Sequence, residues 1–361
     1  MELNASITSN SYNRPSTIDS KDFMIGFKRK WQKNSGLVLL GLLFSVMLHF
    51  ASPNAAVGMP KTATMPHFTL WQAAVLGFVQ GLTEFLPISS TAHLKAVPVI
   101  LGWGDPGVTF TAVIQLGSIA AVLWYFWGDI TQLLVGAFKA IWRGVRKEKE
   151  SEDPDVRASH NLEAQQLSIV GGIALGTIPI VFFGLLWKAL VPDLDNSPLR
   201  SMSAIAIASV VMAIFLGLAE RIGNRKRDFK DLNAADGILM GLAQALALIP
   251  GVSRSGSTIT AGLFLGLERA TAARFSFLLG IPAITLAGLV QLKSDVIDVG
   301  IHLSQVYPLV VGTISSAIFS YLAIAWLIEF LKQQSTWIFV WYRLTFGVAI
   351  LGALSLGWIK N

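Results

Sequence analysis

From residue 35 onward the chain is written in long apolar runs separated by short polar or basic segments. About 20 helical residues span a bilayer core of about 30 Å, and the runs lack the two-residue alternation of barrel strands. The pattern predicts transmembrane helices at about 108–127, 166–190, 201–219, 275–292, 305–330 and 338–358. Two further apolar stretches, 70–102 and 236–267, are interrupted midway by proline, glycine and hydroxyl residues. Each reads as a re-entrant hairpin, in which a helix, a break and a second helix leave on the side they entered. The apolar run at about 36–51, preceded by Lys28, Arg29, Lys30 and Lys33, reads either as a signal-type segment or as a short retained helix, with the retained helix preferred.

The two interrupted stretches carry nearly the same text. GFVQGLTEFLPISSTAHLKAVPVILG begins at Gly77 and GLAQALALIPGVSRSGSTITAGLFLG at Gly241. Aligned without a gap, Gln80 meets Gln244, Ser89 meets Ser253 and Gly102 meets Gly266, while Glu84 and His93 stand only in the first copy and Arg254 only in the second. A duplicated scaffold with different polar chemistry in each copy is the pattern of one composite site.

Charge orders these elements. Basic residues gather at Lys139, Arg143, Arg146, Lys147, Lys149 and Arg157, and again at Arg221, Arg225, Lys226, Arg227 and Lys230. Such clusters beside spans stay cytoplasmic, which is satisfied if the interrupted stretches do not cross. The expected organisation is a polar tail and hydrophobic helix (1–68), a first half (69–220, hairpin 70–102) and a second half (221–361, hairpin 236–267). Three spans in the first half turn the second upside down. The expected fold is therefore an all-α polytopic membrane protein with an inverted-topology repeat, each half a hairpin plus three transmembrane helices, with polar groups collecting at the broken helices.

Composition agrees: 53% of residues are hydrophobic and 14% charged, against roughly 25% charged in soluble domains. With no cysteine, disulfides and thiolate metal sites are excluded. The net charge of +6 lies in loops rather than in a basic soluble domain, so nucleic acid is not expected as a partner.

The candidate chemistry lies in the hairpins. Gln80 and Glu84, four apart, share a helix face, and a carboxylate deep in a bilayer, costing about 2.5–3.5 kcal/mol on insertion scales, calls for a cation, a proton or a wet cavity. Around Arg254, the small residues from Pro250 to Thr258 form a turn whose backbone N–H groups favour an anion. The hydroxyls of Ser253, Ser255 and Thr258 add donors, and the planar fork of Arg254 matches phosphate oxygens. His93 follows the break at Pro87, Ser89 and Ser90. Serine, histidine and carboxylate together make a workable set for nucleophilic catalysis. Arg269, Arg274 and Arg343 sit near span ends and are expected to snorkel, and Trp124, Tyr125, Trp127, Trp337, Trp341 and Tyr342 to anchor at the interfaces.

Gln80 to His93 (QGLTEFLPISSTAH) and Pro250 to Thr258 (PGVSRSGST) resemble the motifs of the bacterial undecaprenyl-diphosphatase, or bacitracin-resistance, family, over roughly residues 69–358. The resemblance implies hydrolysis of undecaprenyl diphosphate to undecaprenyl phosphate and inorganic phosphate, in the bacterial inner membrane with access from the outer face. It implies catalytic roles for Glu84, Ser90, His93 and Arg254, and phosphate binding by Gln80, Ser89, Ser253, Ser255 and Thr258. It also implies a divalent cation, magnesium or calcium, on Glu84 with Gln80, where Gln80 offers only a neutral carbonyl. In the mechanism drawn from it, Ser90 attacks the terminal phosphorus and His93 moves the proton; water or His93 as nucleophile are the alternatives. The partners expected are the lipid substrate and the membrane, with a homodimer allowed for. From another class, a polyprenyl-phosphate transporter or flippase suits the same architecture.

Overall fold

The computed structural model describes residues 68–148, 152–190, 197–291, 293 and 303–359; the apolar run at 36–51 lies outside the described residues. Eleven α-helices are described: α1 (Leu70–Phe85), α2 (Ser90–Ile100), α3 (Gly107–Tyr125), α4 (Trp127–Arg146), α5 (Pro154–Leu190), α6 (Met202–Ile222), α7 (Ala234–Ala245), α8 (Arg254–Phe264), α9 (Arg269–Gln291), α10 (Leu303–Gln333) and α11 (Trp337–Ser355). Five of them, α5, α6, α9, α10 and α11, are long and apolar enough to cross a membrane, and α3 with α4 forms a sixth candidate bent by 64°. The outward faces of these helices carry residues such as Phe182, Ile214 and Val348, exposed as lipid-facing side chains are. The protein is a multi-pass, all-helical membrane protein.

The largest departures from the sequence reading lie at two boundaries. The segment from 138 onward, expected to be a basic loop, continues as α4 to Arg146, and α5 begins at Pro154 rather than near 166. The reason is spacing. Phe138, Ile141, Trp142 and Val145 alternate with Lys139, Arg143 and Arg146 at helical period, so the segment is an amphipathic helix, and Arg143 pairs with Glu163 of α5 at 2.7 Å. Pro154 supplies the preset φ of a first helical residue, with Asp155 in the first turn.

Both interrupted stretches fold as helix, break, helix. Thr69 and Gln72 form a capping box that starts α1, and Asn233 and Asp236 one that starts α7. Each first helix lies against a long helix of the other half: a Cβ on Gly77 would stand 2.2 Å from the Gly312 carbonyl oxygen of α10, and one on Gly241 2.1 Å from that of Gly176 in α5. Backbones approach this closely only without side chains, so glycines lock each hairpin into the opposite half. The core between them holds Phe85, Phe126 and Phe277, with Phe85 and Phe277 edge to face at 5.2 Å.

Charged residues expected to snorkel are instead paired. Arg274 binds Asp129 at 2.5 and 3.0 Å and lies over the Phe229 ring, and Arg269 binds Glu220, which also receives Arg225 and the Thr336 hydroxyl. Arg227 forks onto Asp236 at 2.6 and 2.7 Å, and this bond holds its guanidinium above its ordinary pKa. Trp124, Trp127 and Trp341 are exposed as interfacial anchors would be, whereas Tyr125 packs on Phe126 and Tyr321.

Candidate active site between the hairpin tips

Each break ends in a serine that caps the next helix. Ser89 (φ 76°) accepts from the Ala92 N–H and Ser253 (φ 76°) from the Gly256 N–H. Positive φ is uncommon outside glycine and marks a position held by its surroundings. The residue after each cap is the first of its helix, which sets Ser90 at the head of α2 and Arg254 at the head of α8.

These two helix starts meet. Arg254 Nη2 stands 3.5 Å from Glu84 Oε1, with both side chains nearly buried. Glu84 Oε2 accepts from Ser90 Oγ at 2.8 Å and from Gln80 Nε2 at 3.1 Å. All four line one cavity of about 230 Å³, together with Ser89 and Ser253. Arg254 Nη1 points at the Ser276 carbonyl at 3.5 Å, its Nε makes no hydrogen bond to the protein, and its guanidinium lies 5.8 Å from the Phe85 ring centroid. The guanidinium is thus held at the cavity wall, which suits an incoming oxyanion. Gly280 makes the room: a Cβ there would fall 1.8 Å from Nη1.

The sequence-proposed residues divide into two sets. Gln80, Glu84, Ser89, Ser90, Ser253 and Arg254 face the cavity. Ser255, fully buried, donates to the Leu86 carbonyl at 2.9 Å and so ties the second hairpin to the break of the first. Thr258, also fully buried, lies 2.5 Å from the Ser276 hydroxyl and bonds the Arg254 carbonyl. His93 is turned away from Glu84: Nδ1 meets the Ser89 carbonyl at 2.8 Å, Nε2 the Tyr342 hydroxyl at 2.6 Å, and the ring stacks on Phe346 at 4.6 Å. It makes no hydrogen bond to Ser90 or Glu84, because four residues along α2 turn a side chain back toward the cap rather than toward α1.

Arg343 of α11, expected to snorkel, is 1% exposed and reaches both breaks. Its guanidinium donates to the carbonyls of Pro87 (3.0 Å), Gly251 (2.7 Å), Val252 (3.1 Å) and Ser209 (3.2 Å). Burial of a cation without a carboxylate is offset only by such a full set of acceptors. Nothing local in the text around Arg343 foretold this, since its partners are backbone atoms far away in sequence. Lys95, Asp105 and Arg200 also line the cavity and were likewise passed over; Asp105 lies 3.7 Å from Lys95 and 3.5 Å from Arg200.

Over most of its length the chain is similar to known proteins. The family model described as "Bacitracin resistance protein BacA" matches residues 73–349. The chain belongs to this family. It is 61% identical over 338 residues to an undecaprenyl-diphosphatase of Trichormus variabilis, covering 93% of this chain and 99% of the relative. It is 61% identical over 305 residues to the one of Synechocystis sp. (84% and 88% covered), and 51% identical over 292 residues to the one of Gloeobacter violaceus (81% and 94% covered). Because the first of these matches covers 93% of this chain, the likeness to the Trichormus protein takes in the run at 36–51, which the motif resemblance had left out.

Proposed function

We propose that this BacA-family chain hydrolyses undecaprenyl diphosphate to undecaprenyl phosphate and inorganic phosphate, with the diphosphate seated between Glu84 and Arg254. The observation that carries the site is the meeting of Ser90, Glu84 and Arg254 around one cavity, from hairpins far apart in sequence. The family and the names of its relatives support the activity. Hydrolysis recycles the lipid carrier of cell-wall precursors, which accounts for the resistance phenotype in the family's description.

The chemistry follows from donors and acceptors. Arg254 and the N–H groups at the start of α8 grip the terminal phosphate and stabilise charge that builds on it. The Ser90 hydroxyl already donates to Glu84, so the carboxylate, rather than His93, is the base within reach. As Ser90 Oγ bonds to the terminal phosphorus, its proton passes to Glu84 and the bond from phosphorus to the bridging oxygen breaks, releasing undecaprenyl phosphate. Water then attacks the phosphoserine, the P–Oγ bond breaks, Ser90 recovers the proton from Glu84, and inorganic phosphate leaves. His93 holds the Ser89 carbonyl and so the break that presents Ser90; the proton-moving part read for it from sequence falls to Glu84.

For a divalent cation the fit is limited. Among the described residues no three histidine or acidic side chains gather. Glu84 and the Gln80 carbonyl are two oxygen donors on the cavity wall, and a hard cation such as magnesium needs no more when phosphate and water complete its shell. Glu84 and Gln80 are the residues that would hold it, and it would neutralise phosphate charge.

We also infer that the halves form an inverted-topology repeat. The paired serine caps at φ 76° and the reciprocal glycine contacts of α1 with α10 and α7 with α5 support it. The basic segments support a cytoplasmic position for α4 and the α6–α7 link in an inner-membrane protein, and substrate would then enter from the outer face.

Trapping is the test of the covalent step. Brief exposure to a polyprenyl diphosphate labelled with ³²P in its terminal phosphate should leave label on Ser90 in the wild-type protein and none in Ser90→Ala. Full turnover by Ser90→Ala would remove the serine from the reaction and leave water as nucleophile.

A further inference from the structure

Gln80 sits on the cavity wall, and three hydroxyls stand behind it. Ser118 of α3 accepts from Gln80 Nε2 at 3.5 Å, accepts from Ser320 at 2.8 Å and lies 2.9 Å from Ser316, the last two on α10. All three serines are fully buried. A hydroxyl oxygen accepts two hydrogen bonds and donates one. With Gln80 and Ser320 as its donors, Ser118 has only Ser316 left to receive its own proton, so the network has one direction.

That direction fixes the amide. Nε2 of Gln80 spends both hydrogens, one on Glu84 Oε2 at 3.1 Å and one on Ser118. Oε1 makes no hydrogen bond with the protein, and Gln80 lines the cavity. A flipped amide would turn a carbonyl oxygen against the Glu84 carboxylate and against an oxygen whose lone pairs already point at it, and both contacts are repulsive. The matching residue of the second hairpin shows the contrast: Gln244, fully buried, has no hydrogen-bond partner on either amide atom.

We propose that Ser118, oriented by Ser316, is a positioning residue: it locks the Gln80 amide with one N–H on Glu84, the other on Ser118 itself, and the carbonyl toward the cavity. The proposal rests on the Glu84 site described above. Ser118 touches neither the cavity nor the reacting atoms and acts only through Gln80. Ser316 acts one step further back, by taking the Ser118 proton and so keeping a lone pair of Ser118 turned toward the Gln80 amide. Ser320 is a donor to Ser118 that can be spared.

The test is steady-state phosphate release by detergent-purified protein from a polyprenyl diphosphate, with kcat and KM separated. Ser118→Ala and Ser316→Ala should each lower kcat about 5- to 10-fold, the effect of one neutral hydrogen bond, with KM within about twofold, while Ser320→Ala stays within about twofold of wild type. In a Gln80→Ala background, Ser118→Ala should change nothing further. Unchanged kcat in Ser118→Ala, or an equal loss in the Gln80→Ala background, would overturn the proposal; the second result would mean that the serines serve helix packing alone. Glu84→Ala run alongside separates the failures. If it keeps full activity the site assignment falls, and if it is inactive while Ser118→Ala is normal only the positioning role falls.

Discussion

Arg343 shows what one side chain does in this protein. Its four carbonyl acceptors come from both breaks and from α6, so a single cation holds the two non-helical segments at the spacing that brings Ser90 and Arg254 to one cavity. Arg343→Ala strips donors from buried carbonyls and should cost about 2–4 kcal/mol of stability. Thermal unfolding in detergent checks this, and an unchanged melting temperature would show that the staple is dispensable. Gly280 carries a second prediction at this scale. A methyl group there would meet the guanidinium of Arg254 head on, so Gly280→Ala should cut phosphate release at least tenfold while leaving the fold intact by size exclusion.

At the scale of elements, the hairpins depend on close backbone approach. A Cβ on Gly77 or Gly241 would overlap a carbonyl oxygen of the facing helix. Gly77→Val and Gly241→Val should therefore each force α1 from α10 or α7 from α5 and lower stability by about 1–3 kcal/mol or more, measured as loss of folded protein on heating. The hairpins were legible in the sequence because the same text occurs twice, and the breaks because proline, glycine and serine punctuate an apolar run. The extent of α4 was not legible: a dense run of basic residues reads as a loop until the lipid-facing residues between them are seen to keep helical period. The orientation of His93 was not legible for a related reason. Its position nine residues after Glu84 says that both lie in one hairpin, but not that the ring turns toward Tyr342. Arg343 was missed because backbone carbonyls leave no mark in a sequence.

For the whole molecule, the halves are interlocked rather than side by side, since each hairpin packs on a long helix of the other half and the site exists only where the tips meet. If they form an inverted repeat, the α2–α3 link and the α8–α9 link face opposite sides of the membrane. The native chain has no cysteine, so single cysteines introduced at exposed Gly104 and Glu268 provide a clean topology probe. An impermeant maleimide added to intact cells should label the first and not the second, and labelling of both from one side would contradict the inverted arrangement.

The claim on which the rest depends is that a carboxylate from one hairpin and a guanidinium from the other act on a single diphosphate. Phosphate release from undecaprenyl diphosphate by purified Arg254→Ala, beside wild type, tests it most directly. The geometry predicts turnover at least about 100-fold below wild type, the cost of removing one preorganised oxyanion donor. Near-normal turnover by Arg254→Ala would contradict the composite site.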